Sequence, residues 1–119
     1  MSLDISQRFA RLSTTRQTIT SGSATTLTNA KGPILVLVNP ASLLSAHAIT
    51  FPSAPFDGQR VRLIFGGTIT AGNVVVTSCT VVANAGQSVL EPAAPGSKSA
   101  GTTLEYVYVA SLTKWYRLV

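Results

Sequence analysis

Apolar and polar residues alternate most cleanly in Arg60-Val61-Arg62-Leu63-Ile64-Phe65, with Val61, Leu63 and Phe65 on one side and Arg60 and Arg62 on the other. A period of two belongs to a pleated strand with one covered face. Asp57-Gly58 is a turn signal ahead of this strand, and Gly66-Gly67 ends it. The flanking segments read as strands laid against it. Thr18-Ile19-Thr20 and Thr25 to Thr28 are short strands around Ser21-Gly22-Ser23, and Asn29 to Gly32 is a second turn. Pro33 to Val38 is apolar without alternation, which predicts a strand covered on both faces and broken at Asn39-Pro40.

Ser42 to Ala48 fits a helical turn, but Ala46 to Phe51 reads better as a strand ending at Pro52. Thr68-Ile69-Thr70, Val74 to Thr77 and Cys79 to Ala83 continue the β vocabulary in separate short pieces, and Glu91 to Gly101 reads as a loop. The chain closes with a hairpin. Thr102 to Ala110 alternates Leu104, Tyr106 and Tyr108 against Glu105, Val107 and Val109, Ser111 to Thr113 turns, and Lys114 to Val119 returns. No repeat of fixed period is visible. Short strands with frequent turn signals predict an all-β fold, a small antiparallel β-sandwich or β-barrel.

Residues 1–16 differ from the rest. Ile5, Phe9 and Leu12 have helical spacing, while Leu3, Ile5 and Phe9 equally suit an extended arm. The division is therefore an N-terminal arm, extended or briefly helical, over 1–16 and one β-domain over 17–119. The arm carries Arg8, Arg11 and Arg16 against Asp4 alone. A basic arm favours an acidic partner.

Charged residues make up only 11% of the 119-residue chain and hydrophobic ones 45%, with a net charge of +5. A typical soluble domain carries roughly 25% charged residues. So few charges predict a surface covered by copies of the chain or by a larger assembly. Without an aromatic platform near the arginines, nucleic acid is not the expected partner. No apolar run reaches the roughly 18 residues that span a bilayer, and the start lacks the order of a secretory signal. Synthesis inside the cell, with no membrane partner, is the expectation.

The candidate chemistry is sparse. Cys79 is the sole cysteine, so an intramolecular disulfide is excluded and no metal-ligand spacing exists; a buried thiol is expected. His47 is the sole histidine, read as a half-buried strand residue, although spacing leaves a pairing with Cys79 open. Of the carboxylates Asp4, Asp57, Glu91 and Glu105, only the last two suit a glycosidase-type pair, and Glu105 also suits an ion pair with Lys114 or Arg117. Neither glycine-rich turn is followed by the Lys-Ser/Thr of a phosphate cradle. Catalytic residues, metal and cofactor are all expected to be none. Tyr106, Tyr108, Trp115 and Tyr116, with Lys114 and Arg117 beside them, suit either a sugar-stacking platform or core and subunit contacts.

The run Gly58-Gln59-Arg60-Val61-Arg62-Leu63-Ile64-Phe65, followed by Thr/Val/Asn-rich strands, a Gly/Ser/Pro loop and the hairpin Glu105-Tyr106-Val107-Tyr108-Val109 with Lys114-Trp115-Tyr116-Arg117-Leu118, resembles tailed-bacteriophage virion proteins. Small capsid decoration (cement) proteins, head fibres and the distal β-domains of tail fibres contain similar strings. The resemblance covers residues 57–119. It implies a non-enzymatic homo-oligomer, commonly a trimer, on the capsid surface of a virion assembled in the host cytoplasm, with the major capsid protein as partner. The shortness of the chain favours decoration over a shafted fibre. On that basis Leu3, Ile5, Arg8, Phe9, Arg11, Leu12 and Arg16 form the expected capsid-binding arm, and Tyr106, Tyr108, Trp115, Tyr116 and Arg117 the expected protomer interface. A carbohydrate-binding β-domain of a fibre is the alternative, and it needs the rings exposed.

Overall fold

A computed structural model describes residues 14–90 and 96–118. Ten strands account for most of them: β1 (Thr15–Ile19), β2 (Ala24–Thr26), β3 (Ile34–Val38), β4 (Leu44–Thr50), β5 (Arg60–Phe65), β6 (Val74–Val82), β7 (Ser88–Leu90), β8 (Gly96–Ser99), β9 (Thr103–Val109) and β10 (Lys114–Arg117). A single 3-10 turn, Ala110–Leu112, is the helical element among the described residues. Six strands form one sheet in the order β1-β3-β5-β9-β10-β7, and four form another in the order β2-β4-β6-β8.

Successive strands from β1 to β6 alternate between the sheets. β1, β3 and β5 are therefore parallel neighbours in one sheet, and β2, β4 and β6 in the other. A parallel pair needs a crossover, and here each crossover is a strand of the opposite sheet. The chain thus winds around its own core. Only β5–β9, β9–β10 and β6–β8 pair antiparallel among the described strands. Both sheets are mixed, so the expected antiparallel pairing is corrected for most of the chain. From β1 to β6 the turns carry the chain across to the other sheet and not back along the same one.

The winding also accounts for the missing repeat. In the larger sheet the in-register step is 19 residues from Thr15 to Ile34 and 27 from Ile34 to Val61. Unequal loops erase any fixed period.

Alternation sets the core. Val61, Leu63 and Phe65 of β5 pack with Ile34, Val36 and Val38 of β3 and with Leu104, Tyr106 and Tyr108 of β9, all buried. Ile49, Val75, Val76 and Cys79 join them from the smaller sheet. Phe51, just beyond β4, lies 5.1 Å from Tyr106 and 4.7 Å from Trp115 (centroid distances), and Tyr108 lies 5.1 Å from Trp115. The indole N–H donates to Gln87 Oε1 at 2.9 Å, and Gln87 Nε2 donates in turn to the carbonyls of Pro52 and Ser53. A buried indole therefore has its one polar atom satisfied.

Several segments differ from expectation. β4 begins at Leu44, so no helical turn forms there, and Val74 to Val82 is one strand rather than two. Register shifts opposite β8 leave Val75 and Val76 both buried, which breaks the alternation of β6. Part of the expected loop is strand β8, while 91–95 lie outside the described residues. Residues 67–69 form a bend, so Thr68 to Thr70 is not a strand. The Gly66-Gly67 pair ends β5 for a steric reason. Gly66 has φ +107, and a Cβ there would come within 2.7 Å of Ala100 Cβ.

The first turn of the winding is braced by polar groups. Gln17, on the same side of β1 as buried Ile19, accepts at Oε1 from Thr28 N–H at 2.8 Å and from Thr28 O–H at 3.2 Å. Gln59 donates to the carbonyls of Ala30 and Gly32, tying the 29–32 turn to the start of β5.

Truncating an aromatic at the junction leaves a large void, and such changes cost about 3–5 kcal/mol. Trp115→Ala should therefore lose about that much in urea or thermal unfolding. Tyr116→Ala, one residue on and facing outward, should lose about 1 kcal/mol or less.

Candidate interaction face

Because β5 alternates, its second set of side chains points away from the core, and the register carries that set across the larger sheet. Arg16, Leu35, Arg62 and Glu105 form one row on β1, β3, β5 and β9. Thr18, Leu37, Ile64 and Thr103 form the next. On the other side Arg60, Val107, Tyr116 and Leu90 continue the face, followed by Val109, Lys114 and Ser88. No described element packs over these rows. β3 is thus buried on one face only, with Leu35 and Leu37 half-buried on the other, which corrects the expectation of a strand covered on both sides.

Arg60 Nη1 lies 3.7 Å from Glu105 Oε1 and Arg62 Nη2 lies 3.5 Å from Oε2. The carboxylate therefore pairs across strands with two arginines of β5, and not with Lys114 or Arg117 as expected. Both guanidiniums are 56% exposed while Glu105 is 16% exposed, so a single anion is shared between two solvated cations. Such exposed pairs contribute about 0.2–1 kcal/mol each. Their larger effect is on the field. Arg16, Arg60, Arg62 and Lys114 face outward here, with Glu105 as the one acid among the described residues of these rows. A depression of about 400 Å³, lined by Thr14, Pro33, Ile34, Leu35, Arg60, Arg62 and Glu105, lies over these rows. It combines an apolar floor with two guanidinium walls.

The smaller sheet has a different outer face. Ala24, Ala48 and Thr80 form one row and Thr26, Thr50 and Val82 another, with no charged side chain in either.

The expected site residues are dispersed by the fold. Leu3, Ile5, Arg8, Phe9, Arg11 and Leu12 lie outside the described residues. Arg16 belongs to β1, exposed at the edge of the larger sheet. Tyr106, Tyr108 and Trp115 are not on the surface: they are the inward set of β9 and β10, with exposures of 0%, 6% and 0%. Their aromatic area fills the space between the sheets, so they neither meet a neighbouring protomer nor stack a sugar. Tyr116 and Arg117 are half-buried, Tyr116 on the outer face.

His47 is fully buried in β4, with Cys79 as its register partner on β6. Its Nδ1 donates to the Gly22 carbonyl at 2.9 Å, which leaves Nε2 to accept from the Thr25 hydroxyl at 2.9 Å. Both ring nitrogens thus tie the 21–23 turn and β2 to β4. Asp57 accepts from Ala110 N–H at 2.9 Å, a turn-to-turn link. No group of three or more metal-ligating side chains occurs among the described residues.

Leu35, Leu37 and Ile64 are the members of the face that sequence reasoning passed over. In an unbroken apolar run, alternation gives no sign of which side is uncovered. Arg60 and Arg62 did carry a signal, since they fix the outward side of β5 and hence of its neighbours.

No family model and no curated protein matches the chain. A solved structure, described as that of a chaperone–substrate complex, is similar with a TM-score of 0.52 over 88% of this chain at 15% identity. The chain spans 17% of that chain's length. At this identity the likeness concerns the fold alone.

With Trp115 enclosed, its fluorescence should be blue-shifted and little quenched by iodide. Added mono- and oligosaccharides should leave it unchanged, whereas a sugar-dependent shift would put the ring at a binding surface.

Proposed function

We propose that the chain is a non-enzymatic structural protein of a tailed-bacteriophage virion, a decoration protein that binds the major capsid protein on the outer shell. The observation that carries this reading is the uncovered face of the six-stranded sheet. Five strands of it present apolar side chains, Leu35, Leu37, Ile64, Val107, Tyr116 and Leu90, among basic ones. Exposed apolar side chains interspersed with arginines are common in protein-binding surfaces. The two sheets share one core and serve as a compact, sandwich-like body that presents this face rigidly.

Self-association is proposed on the opposite side. With Tyr106, Tyr108 and Trp115 enclosed, the uncharged outer rows of the smaller sheet, Ala24, Ala48, Thr80, Thr26, Thr50 and Val82, replace them as the contact between protomers, in a trimer or another closed ring. Small uncharged side chains let sheets approach without stranding a charge. Many modest contacts on a closed lattice then gain strength from being effectively intramolecular. The carbohydrate-binding alternative loses its platform, since three of its four rings are interior.

Purified protein mixed with undecorated capsids should bind at saturating, stoichiometric occupancy. Leu37→Ser/Ile64→Ser should lower the affinity about tenfold with a small change in thermal midpoint. Removal of residues 1–16 should lower occupancy as well. No binding by the unaltered chain would remove the decoration role, and full occupancy by the double variant would move the docking surface elsewhere. In light scattering, Ala48→Lys/Thr80→Lys should shift the oligomer towards monomer.

A further inference from the structure

We infer that the β1 edge of the six-stranded sheet receives an extended acidic segment of a partner protein as a seventh strand. This deepens the reading of that sheet as an assembly face and rests on it.

The first observation is the backbone. Thr15 N–H donates to the Pro33 carbonyl at 2.9 Å, and the Ile19 carbonyl accepts from Asn39 N–H at 2.8 Å. Thr15, Gln17 and Ile19 therefore turn their peptide groups towards β3, and the residues between them, Arg16 and Thr18, turn theirs outward. No described strand pairs with that side. An edge of free donors and acceptors is a template for an added strand.

The second observation is charge. A strand beside β1 would extend the outer row Arg16, Leu35, Arg62, Glu105 by one position, next to Arg16. Arg16 makes no ion pair among the described residues, and Arg60 and Arg62 share one carboxylate. The depression that holds those two arginines adjoins the start of β1 at Thr14, but they stand on β5, about 14 Å (three strand spacings) from an added strand, so Arg16 is the cation that an acidic side chain of that strand meets. Opposite charges on neighbouring strands stabilise a pairing and like charges oppose it. That disfavours two otherwise natural occupants. A second copy would set Arg16 near its own equivalent, and residues 1–13 bring Arg8 and Arg11 against the single acid Asp4.

The test uses the full chain and fluorescein-labelled alternating Glu/Val, Gln/Val and Lys/Val peptides, read by anisotropy. The Glu/Val peptide should bind, weaken as salt is added, and exceed the Gln/Val peptide by about tenfold, with the Lys/Val peptide not binding. Arg16→Gln should weaken Glu/Val binding about tenfold. Thr18→Pro, which removes an outward N–H without touching the β3 ladder, should weaken it similarly. Hydrogen exchange should slow at Arg16 and Thr18 when the peptide is added, a readout that needs no variant.

Equal binding of Glu/Val and Gln/Val peptides would overturn the acidic partner. Binding that survives Thr18→Pro with unchanged exchange at Arg16 and Thr18 would overturn strand addition. Dimers released to monomers by Thr18→Pro would assign the edge to a second copy, and binding seen only after deletion of residues 1–13 would assign it to that segment. Capsid binding that persists without any peptide binding would overturn this inference and leave the assembly reading standing.

Discussion

The contact between Phe51 and Trp115 holds the rest of the structure in place. Phe51 leaves β4 in the smaller sheet, and its backbone is fixed by Phe51 N–H to the Val82 carbonyl and by Asn84 Nδ2 to the Phe51 carbonyl. Trp115 and Tyr106 come from the larger sheet. Ring centroids 4.7 and 5.1 Å apart at tilted and edge-on angles are favourable geometries for aromatic pairs. A winding of parallel strands does not close on itself, because each turn only makes an edge for the next. Here the β9–β10 hairpin reverses direction, covers β5, and delivers its rings against the exit of β4. The winding ends there because the hairpin fills the space a further turn would occupy.

That arrangement explains which parts of the fold were legible in the sequence. β5 and the β9–β10 hairpin announced themselves by alternation, since each has one side in the core and one in water. Leu104, Tyr106 and Tyr108 were separated correctly from Glu105, Val107 and Val109 by that alternation. Partner choice was not legible. A strand that pairs parallel after crossing to the other sheet carries the same pattern as one in a hairpin, and unequal steps hid the winding. Val74 to Thr77 and Cys79 to Ala83 read as two pieces, but they are one strand whose register opposite β8 shifts on both sides of Val76. The site suffered most from the same ambiguity. Tyr and Trp suit cores and interfaces alike, and only the register, with Trp115 beside Tyr108, decides for the core.

Once the rings are accounted for by folding, the outer surface becomes easier to interpret. The larger sheet pairs Arg60 and Arg62 with Glu105 and also turns Arg16 and Lys114 outward, whereas the rows Ala24-Ala48-Thr80 and Thr26-Thr50-Val82 of the smaller sheet carry no charge. Charge on a sheet face discourages identical faces from meeting, while an uncharged face of small side chains offers no such barrier. Among the described residues, five charged side chains thus share the outer face of the larger sheet. Low overall charge would otherwise leave every face equally prone to association.

The two ends of the winding are as unlike as its two faces. At one end the hairpin and its rings complete the core. At the other, β1 and β2 are the edge strands of their sheets, and the closure is made by side chains: Gln17 reaching Thr28, and Thr25 reaching His47. Polar braces of this kind satisfy groups beside the core, but they leave the outward peptide groups of Arg16 and Thr18 without partners in the described fold. An apolar plug would have sealed the interior and invited another apolar surface to stack on it. Polar closure with an open, positively charged edge instead favours a partner that brings backbone and negative charge together. The chemistry of that edge therefore follows from how the core is finished, not from a separate motif.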